Sequence, residues 1–247
     1  MSDVSRSRRL LRQSIRLQAR LEASWGDRWI PAIIGVVLSA VLINLGLGRL
    51  DNLRSGPDLA AYTQSSWLLA EGYLPKASLF GTNVHLLELH WSFILYPLAV
   101  IGRFTDPART LIVAQGLALG AGVPLLWRLA RRAADLRIGG ATAIVAAYAF
   151  HPATHNLGIV DFHPETIAVP AIFGLALFSY TRRWVPYWIA VAVILACRAD
   201  FGIAVALWGI LLVGTGKRVQ GLWTSGIGMA WTLGLLLVGQ PLLKRFV

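Results

Sequence analysis

IGGATAIVAAYAFHPATHNLGIVDFHPETIAVPAIFGLALFSY, residues 138–180, is the stretch that decides the fold. Two apolar runs flank the cluster Asp161-Phe162-His163-Pro164-Glu165, which places two carboxylates and an imidazole close together. Ionisable side chains are costly next to hydrocarbon, so they are usually paired, line a watery cavity or lie at the membrane boundary. The stretch therefore predicts membrane helices joined by a polar loop with a function.

The composition of the whole chain is that of a membrane protein. Hydrophobic residues make up 56% of it and charged residues only 14%, against roughly 25% charged in a soluble domain, and its mean hydropathy is +0.60. A net charge of +11 would suggest nucleic acid as the partner of a soluble protein. Excess Arg and Lys in short loops is instead the usual mark of the cytoplasmic side of a membrane protein. We therefore expect membrane lipids, and no nucleic acid, as partners.

The N-terminal region, residues 1–29, is rich in arginine with leucines interspersed. This pattern predicts a basic amphipathic segment on the cytoplasmic leaflet. It is too long and too charged for the start of a cleaved signal peptide, so we expect it to be retained. Residues 30–247 then form one transmembrane module. Within it, the polar stretch 51–106 predicts a large outer loop with juxtamembrane helices, one of which begins at Asp58 as its N-cap.

The apolar runs predict an all-α polytopic bundle of about seven spans. Ile30 to Leu50 has the ~20 residues that a bilayer requires. The run 91–102 is too short to cross and is expected to be re-entrant or to lie on the surface. With the N-terminus cytoplasmic, the whole net charge of +11 falls on the inner side of this map, and the Asp161–Glu165 cluster faces outside. The remaining spans are 107–127, 138–156, 165–180, 184–197, 201–213 and 222–243. The pair His151-Pro152 predicts a kink within the span 138–156.

A second polar turn, Arg198-Ala199-Asp200, separates two of the shorter apolar runs. Because neither run is long enough for a full span, we expect this turn to lie below the outer surface, inside the bundle. An Arg and an Asp are tolerated there only when they are paired or hydrogen-bonded. The pattern predicts an ion pair between Arg198 and Asp200, which by itself is equally compatible with a structural role at two helix ends.

The predicted outer face collects acids, imidazoles and one cation. Two acidic loops and a cation just inside the membrane suit the transfer of a sugar from a lipid phosphate. A carboxylate can act as general base on an acceptor hydroxyl, and an Arg can bind the leaving phosphate and stabilise its developing charge. The residues in question are Asp58, His85, Glu88, His90, Asp161, His163, Glu165, Arg198 and Asp200.

Other interpretations of the same residues stay open at this point. Asp58 is also explained as a plain helix cap. Imidazole and carboxylate together suit zinc or manganese, so a divalent metal is possible, although the chemistry requires no cofactor. The ligands of such a metal would be His85, Glu88 and His90, together with Asp161 or His163.

The order of elements resembles the conserved module of the glycosyltransferase C fold, found in oligosaccharyltransferases, protein O-mannosyltransferases and aminoarabinose transferases. More specifically, four motifs between about residues 50 and 220 resemble a bacterial membrane family grouped with that clan and catalogued as domain of unknown function 2079. The motifs are Asp58-Leu59 with Tyr62, Gln64 and Trp67, then His90-Trp91-Ser92, then Asp161-Phe162-His163-Pro164-Glu165, then Arg198 with Asp200-Phe201-Gly202.

The resemblance implies roles for particular residues. Asp58 takes the place of the catalytic carboxylate in the first outer loop, and Asp161 or Glu165 that of the acid in the second. The other matching polar residues are then expected to bind substrate: Gln64, His90, His163, Arg198 and Asp200. Members of the family are generally longer, so we expect this chain to be the module alone or a truncated form.

The expected function is transfer of a sugar from a polyprenyl-phosphate donor to a cell-envelope acceptor at the outer face of the bacterial cytoplasmic membrane. Two other classes of function remain. A lipid or solute transporter would carry ionisable groups through the depth of the bilayer, whereas the map leaves the inner half nearly free of them. A non-catalytic assembly subunit would keep the fold in order to bind lipid.

Overall fold

The computed structural model describes residues 24–80, 84–89 and 91–242, without the side chains of residues 24, 80, 88 and 89. Most of the predicted amphipathic segment 1–29, and His90, lie outside these residues. The described part is helical, with one isolated antiparallel bridge between Lys76 and His85, so the all-α prediction is confirmed. The helices are α1 Ser24–Asp51, α2 Pro57–Ala70, α3 Leu86–Leu89, α4 Leu95–Gly102, α5 Pro107–Arg132, α6 Ile138–Phe150, α7 Pro152–Ile159, α8 Glu165–Tyr180, α9 Trp184–Cys197, α10 Phe201–Gly214 and α11 Arg218–Gly234, which continues into a π turn, Leu235–Gly239.

Three helices in the described part are long and apolar enough to cross a membrane: Trp25–Asp51, Pro107–Arg132 and Arg218–Leu242. Four further apolar helices, α6, α8, α9 and α10, are shorter. A helix of 14 residues reaches about 21 Å, against ~30 Å of hydrocarbon. Length and composition therefore identify three candidate spans, and the count of seven stays a prediction.

The expected span 138–156 is broken into α6 and α7. His151 has extended backbone angles, with φ −65° and ψ 131°, and α7 begins at the following Pro152. Proline disfavours the helical conformation of the residue before it. The break is therefore a local effect of the His151-Pro152 pair, and it lies where the sequence predicts a kink.

Helices α1 and α5 form an antiparallel pair that is tied at both ends. At one end the Asp27 carboxylate accepts hydrogen bonds from Arg131 at 2.7 and 3.1 Å and from the Trp127 indole at 3.0 Å. At the other end Arg109 pairs with Asp51 at 2.7 Å. The two backbones approach closely between these ties, as small residues allow in membrane helices. Helix α5 also packs on α2, α4, α6 and α8, which makes it the centre of the fold.

Helices α10 and α11 pack against each other through glycines. A Cβ atom on Gly209 would overlap the backbone nitrogen of Ser225 and lie 2.7 Å from the Gly221 carbonyl oxygen. The Ser225 hydroxyl donates to the Ala206 carbonyl at 3.0 Å. The hydrophobic effect contributes little to helix association in lipid. Dispersion contacts and hydrogen bonds at this close approach stabilise the pair instead.

The helix ends form two ends of the bundle, one where acidic and basic residues are mixed and one that is mainly basic. We call one the site end; it carries the acidic residues Asp51, Asp58, Asp106, Glu165 and Asp200 at helix termini or adjoining turns. We call the other the basic end; it carries Arg131, Arg137, Arg182, Arg183, Lys217 and Arg218. Large apolar side chains on the outside of α1, α10 and α11 are exposed between the two ends, as expected of surfaces that face lipid.

The α10–α11 contact makes a stability prediction. Gly209→Ala should lower the free energy of unfolding by about 1–3 kcal/mol, because the added methyl group has no space between the two backbones. Gly214→Ala is the matched control, since a Cβ atom there meets nothing within 4 Å. Thermal unfolding in detergent measures both variants. Equal melting temperatures for the two variants would contradict the packing described.

Candidate functional site

The carboxylate of Asp161 caps the N-terminus of α2 from a distant part of the chain. Its side chain is buried. Its Oδ2 accepts from the Asp58 backbone N–H at 3.1 Å, and its Oδ1 accepts from the N–H groups of Leu59 and Phe162, the latter at 3.0 Å. The first N–H groups of a helix lack partners within the helix, and its dipole favours an anion there. The contacts of Asp161 are thus those of a structural cap.

The predicted N-cap role of Asp58 was wrong. Helix α2 has Gly56 at its N-cap and Pro57 at its first position, so Asp58 lies within the first turn. Proline is favoured at that first position because its missing N–H is not needed there. A Cβ atom on Gly56 would overlap Asp161 Oδ2. The glycine therefore leaves room for a cap supplied by another segment.

A buried glutamine holds the loop that carries Asp161. The Gln115 side chain, on α5, donates to the carbonyl oxygens of Asp161 at 2.9 Å and Gly158 at 3.2 Å, and accepts from the His163 N–H at 3.2 Å. Buried backbone groups in loops need such partners because no water reaches them. The sequence analysis missed Gln115, although a single carboxamide in the apolar run 107–127 was a usable signal.

Arg198 binds two carboxylates between α9 and α10. Its guanidinium pairs with Asp200 at 2.9 and 3.2 Å and with Glu165 through Nη1. The Asp200 pairing predicted from the sequence is confirmed, and Glu165 is an additional partner. The hydrogen bond to Glu165 raises the pKa of Arg198 above its ordinary value, so the cation is permanent. Glu165 Oε2 is buried and has no hydrogen-bond partner among the described residues.

The half-buried carboxylate of Asp58 has no hydrogen-bond or ion-pair partner in the part of the chain that the structure describes. Tyr62 lies one turn further along α2 and packs edge-on against Phe162 at 5.1 Å between ring centroids. Burial raises the pKa of Tyr62, and the charges of Glu165 and Asp58 add to the effect. Both carboxylates therefore lie within electrostatic range of one phenol, together with Arg198.

The segment before α4 is hydrogen-bonded to the end of α9, beside Arg198. Ser92 donates to the Cys197 carbonyl at 3.0 Å, and the Ile94 N–H donates to the Ala196 carbonyl at 2.9 Å. Ser92 also interacts with the hydroxyl of Tyr62. The end of α9, from which Arg198 projects, is thereby fixed against α2 and the segment before α4.

Gln64 does not join the carboxylates. Two residues further along a helix turn a side chain by about 200°, so Gln64 and Tyr62 lie on opposite sides of α2. The Gln64 Oε1 accepts from the backbone N–H and the hydroxyl of Ser78 at 3.0 and 3.1 Å. Gln64 lines a separate, largely apolar cavity of about 580 Å³ between α1, α2 and α5. Its predicted role in substrate binding stays a prediction.

The histidines are placed in different surroundings. His163 is half-buried beside the Asp161 cap, and its Nδ1 has no hydrogen-bond partner among the described residues. His85 is buried, and its Nδ1 accepts from the Leu87 N–H at 3.2 Å. Among residues 24–80, 84–89 and 91–242 no group of three His, Cys, Asp or Glu side chains is placed to hold a metal ion. His90 and the side chain of Glu88 lie outside the described residues, so the metal site stays a prediction.

An apolar groove of about 640 Å³ runs between α4, α5, α8 and α9. Every residue that lines it is apolar, from Ile94 and Ile167 near the site end to Phe178 and Pro186 near the basic end. Ile167 follows Glu165 by two residues, and Ile94 is hydrogen-bonded to the residue two before Arg198. The groove therefore begins close to the level of the Glu165–Arg198 ion pair along the bundle, although side chains two residues apart on α8 point to opposite sides of that helix.

Helices long enough to span a bilayer, exposed apolar surfaces and charged residues confined to the two ends define an α-helical membrane protein. The model of one family, described as predicted membrane protein (DUF2079), matches residues 49–245. The chain belongs to this family. No curated protein and no solved structure matches the sequence.

The Asp161 cap makes a prediction about local stability. Asp161→Asn should destabilise the fold by about 1–2 kcal/mol, because the amide group cannot accept all three N–H groups and places a donor against them, which leaves a buried N–H without an acceptor. Hydrogen exchange of backbone amides 57–62 should accelerate in particular. Asp106→Asn is the control, because Asp106 caps α5 with one hydrogen bond at 2.7 Å to Arg109 and does not touch α2. Unchanged exchange in α2 of the Asp161 variant would refute the cap.

Proposed function

We propose that this protein transfers a sugar from a polyprenyl-phosphate donor to an acceptor hydroxyl at the site end of the bundle. The observation that supports the proposal most is the position of Arg198. Its cation is held between two carboxylates, near the level at which an apolar groove along the bundle begins. A charged headgroup and a long hydrocarbon tail fit this combination of an Arg and a groove.

The donor phosphate would bind Arg198 in place of Asp200. Asp200 is the more exposed partner, with 57% of its side-chain surface accessible against 24% for Glu165. Its ion pair with Arg198 therefore costs less free energy to open, because water solvates the released carboxylate. Guanidinium groups match the geometry of phosphate oxygens and bind them by two hydrogen bonds. The isoprenoid tail would then lie in the groove between α4, α5, α8 and α9.

Asp58 is the proposed general base. The oxygen of the acceptor hydroxyl attacks the anomeric carbon of the sugar, its proton passes to the Asp58 carboxylate, and the bond between that carbon and the phosphate oxygen breaks. Polyprenyl phosphate leaves with the bonding electrons, and Arg198 stabilises its added charge. Asp58 suits this role because its carboxylate is half-buried and free of ion pairs in the described part of the chain.

Asp161 then acts through Asp58 rather than on the substrate. Its two oxygens are occupied by backbone N–H groups, including that of Asp58 itself. We therefore assign Asp161 the role of a positioning residue and keep Asp58 and Glu165 as the two site carboxylates. The scheme needs no metal, and a divalent ion at His85, Glu88 and His90 would be an addition to it.

Substitution of the two central residues tests the proposal. Asp58→Asn should lower the rate of sugar transfer by at least ~100-fold, since general base catalysis contributes about 10²–10⁴. Arg198→Lys should keep part of the activity and Arg198→Gln should lose it, because Lys retains the charge without the two-hydrogen-bond geometry. The measurement is transfer from a defined polyprenyl-phosphate sugar to a soluble acceptor in proteoliposomes.

Asp51→Asn is the control, because Asp51 is an acid at the site end that pairs with Arg109 in an exposed position. Its activity should equal that of the unaltered protein. Wild-type rates in both Asp58→Asn and Arg198→Gln would exclude the proposed roles. Binding of polyprenyl phosphate that depends on Arg198, without any transfer in the unaltered protein, would favour a lipid-binding assembly subunit instead.

The proposal also requires the site end to face outside. In a Cys197→Ala background, a cysteine at exposed position 71 should react with a membrane-impermeant maleimide in intact cells. A cysteine at exposed position 132, at the basic end, should react only after the membrane is opened. The reverse pattern would place the site in the cytoplasm.

A transport function is less well supported. The segments 166–181, 184–197 and 201–214 contain no Asp, Glu, Lys, Arg or His. Pathways for ions or polar solutes place such residues within the membrane depth. Charged groups of these helices are instead confined to the turns at their ends.

A further inference from the structure

Two turns at the basic end bring cations of separate helix pairs together. Thr181-Arg182-Arg183 joins α8 to α9, and Thr215-Gly216-Lys217 joins α10 to α11. Burial lowers the pKa of Lys217, and the nearby charge of Arg182 lowers it further. The first turn of α9 and the second turn of α11 are also joined directly, by a hydrogen bond of 2.7 Å between the hydroxyls of Tyr187 and Thr224, so the two turns lie close together.

Neither turn has an acidic residue to balance this charge. Arg182, Arg183 and Arg218 are exposed and Lys217 is half-buried. The described residues provide no ion pair for any of the four. Repulsion between like charges that face each other without a counter-charge destabilises the pair, unless an anion from outside the chain binds there.

Arg182 adopts a left-handed backbone conformation in this turn, as Leu53 and Asp135 do just after α1 and α5. Both turns end their first helix in the same way, with Arg183 N–H bonded to the Phe178 carbonyl and Lys217 N–H to the Leu212 carbonyl, each at 2.9 Å. The left-handed residue is Gly216 in one turn, with φ +83°, and Arg182 in the other, with φ +55°. Glycine adopts this conformation without strain, whereas other residues do so at a cost. Such strain is commonly retained where a side chain has a function.

The helices that start at these turns have uncapped N-termini. Arg183 is the N-cap of α9 and Lys217 that of α11; neither supplies a side-chain hydrogen bond, and neither first turn contains an acid. Free N–H groups and the positive end of the helix dipole attract anions. At the site end, by contrast, α2 and α5 are capped by the carboxylates of Asp161 and Asp106.

Aromatic side chains place the two turns at the level of lipid headgroups. Tyr180 is 53% exposed just before the first turn, and Trp223 is 66% exposed in the second turn of α11. Exposed Tyr and Trp gather at the boundary between hydrocarbon and water. The headgroup of an anionic lipid lies at the same depth and reaches the turns there.

We propose that Arg182, Arg183, Lys217 and Arg218 form a binding site for the phosphate headgroup of an anionic phospholipid. The phosphate lies between the two turns, balances the four cations and supplies hydrogen-bond acceptors to the uncapped starts of α9 and α11. The lipid thereby joins the α8–α9 pair to the α10–α11 pair at the end remote from the candidate active site. The site is independent of the proposed transfer reaction.

The test compares an anionic lipid, phosphatidylglycerol, with a neutral one, phosphatidylcholine. Native mass spectrometry measures the binding of each lipid, and melting in detergent measures the stabilisation that each lipid gives. The double variant Arg182→Gln/Lys217→Gln should bind phosphatidylglycerol about tenfold to thirtyfold more weakly, given the contribution of each basic residue near a membrane surface. Arg54→Gln/Arg103→Gln removes two exposed cations at the site end and should bind it as the unaltered protein does. Equal losses in both double variants would show a net-charge effect and overturn the site.

Arg182→Gly separates lipid binding from folding. Glycine relieves the left-handed strain, so this variant should melt at a higher temperature than the unaltered protein without lipid, yet gain less from phosphatidylglycerol. A variant that gains as much from the lipid as the unaltered protein contradicts the proposal. In the last experiment, inorganic phosphate at equal ionic strength takes the place of the lipid. An increase in melting temperature as large as that with phosphatidylglycerol would identify a site for free anions and overturn the lipid assignment.

Discussion

The candidate site depends on one interaction, the carboxylate of Asp161 at the N-terminus of α2. Helix α2 carries Asp58 and Tyr62, and it starts outside the three long helices. Asp161 accepts the first N–H groups of α2 and also that of Phe162, whose ring contacts Tyr62 at 5.1 Å. A single carboxylate thus sets both the direction of α2 and its distance from the loop that leads into α8. Removal of such a cap typically costs ~1 kcal/mol, and here the geometry of two site residues depends on it.

Features that depend on residues close together in the sequence could be predicted from composition and hydropathy. The apolar runs located the long helices, the excess of Arg and Lys separated the two ends, and the short turn predicted the pairing of Arg198 with Asp200. Hydrogen bonds between residues far apart in the sequence could not be predicted in this way. The partner of Asp161 lies 103 residues away along the chain, and local sequence made Asp58 the better candidate for a cap. The partners of Gln115 lie 43 to 48 residues away.

The direction in which side chains and helices point explains the remaining differences between the predictions and the structure. Asp58, Tyr62 and Gln64 share one motif, but 3.6 residues per turn place the third on the other side of α2. The His151-Pro152 pair predicts a kink in the span 138–156, because proline disfavours the helical conformation of the residue before it. Hydropathy reports the surroundings of a segment and not the path of its backbone. The packing of the second, short helix α7 on α1 and α5 could not be predicted from either signal.

The charge asymmetry of the bundle has different consequences at its two ends. At the site end, helix dipoles are balanced from within the chain, by Asp161 and Asp106, and the carboxylates of Glu165 and Asp200 share one cation, Arg198. An exposed ion pair such as that with Asp200 contributes only ~0–1 kcal/mol, whereas the less exposed pair with Glu165 is harder to open because separation leaves a carboxylate without a partner. Arg198 can therefore exchange one acid for a phosphate and keep the other. A single guanidinium that stays anchored by Glu165 while it binds a lipid phosphate is the simplest way to hold a charged headgroup at the end of an apolar groove.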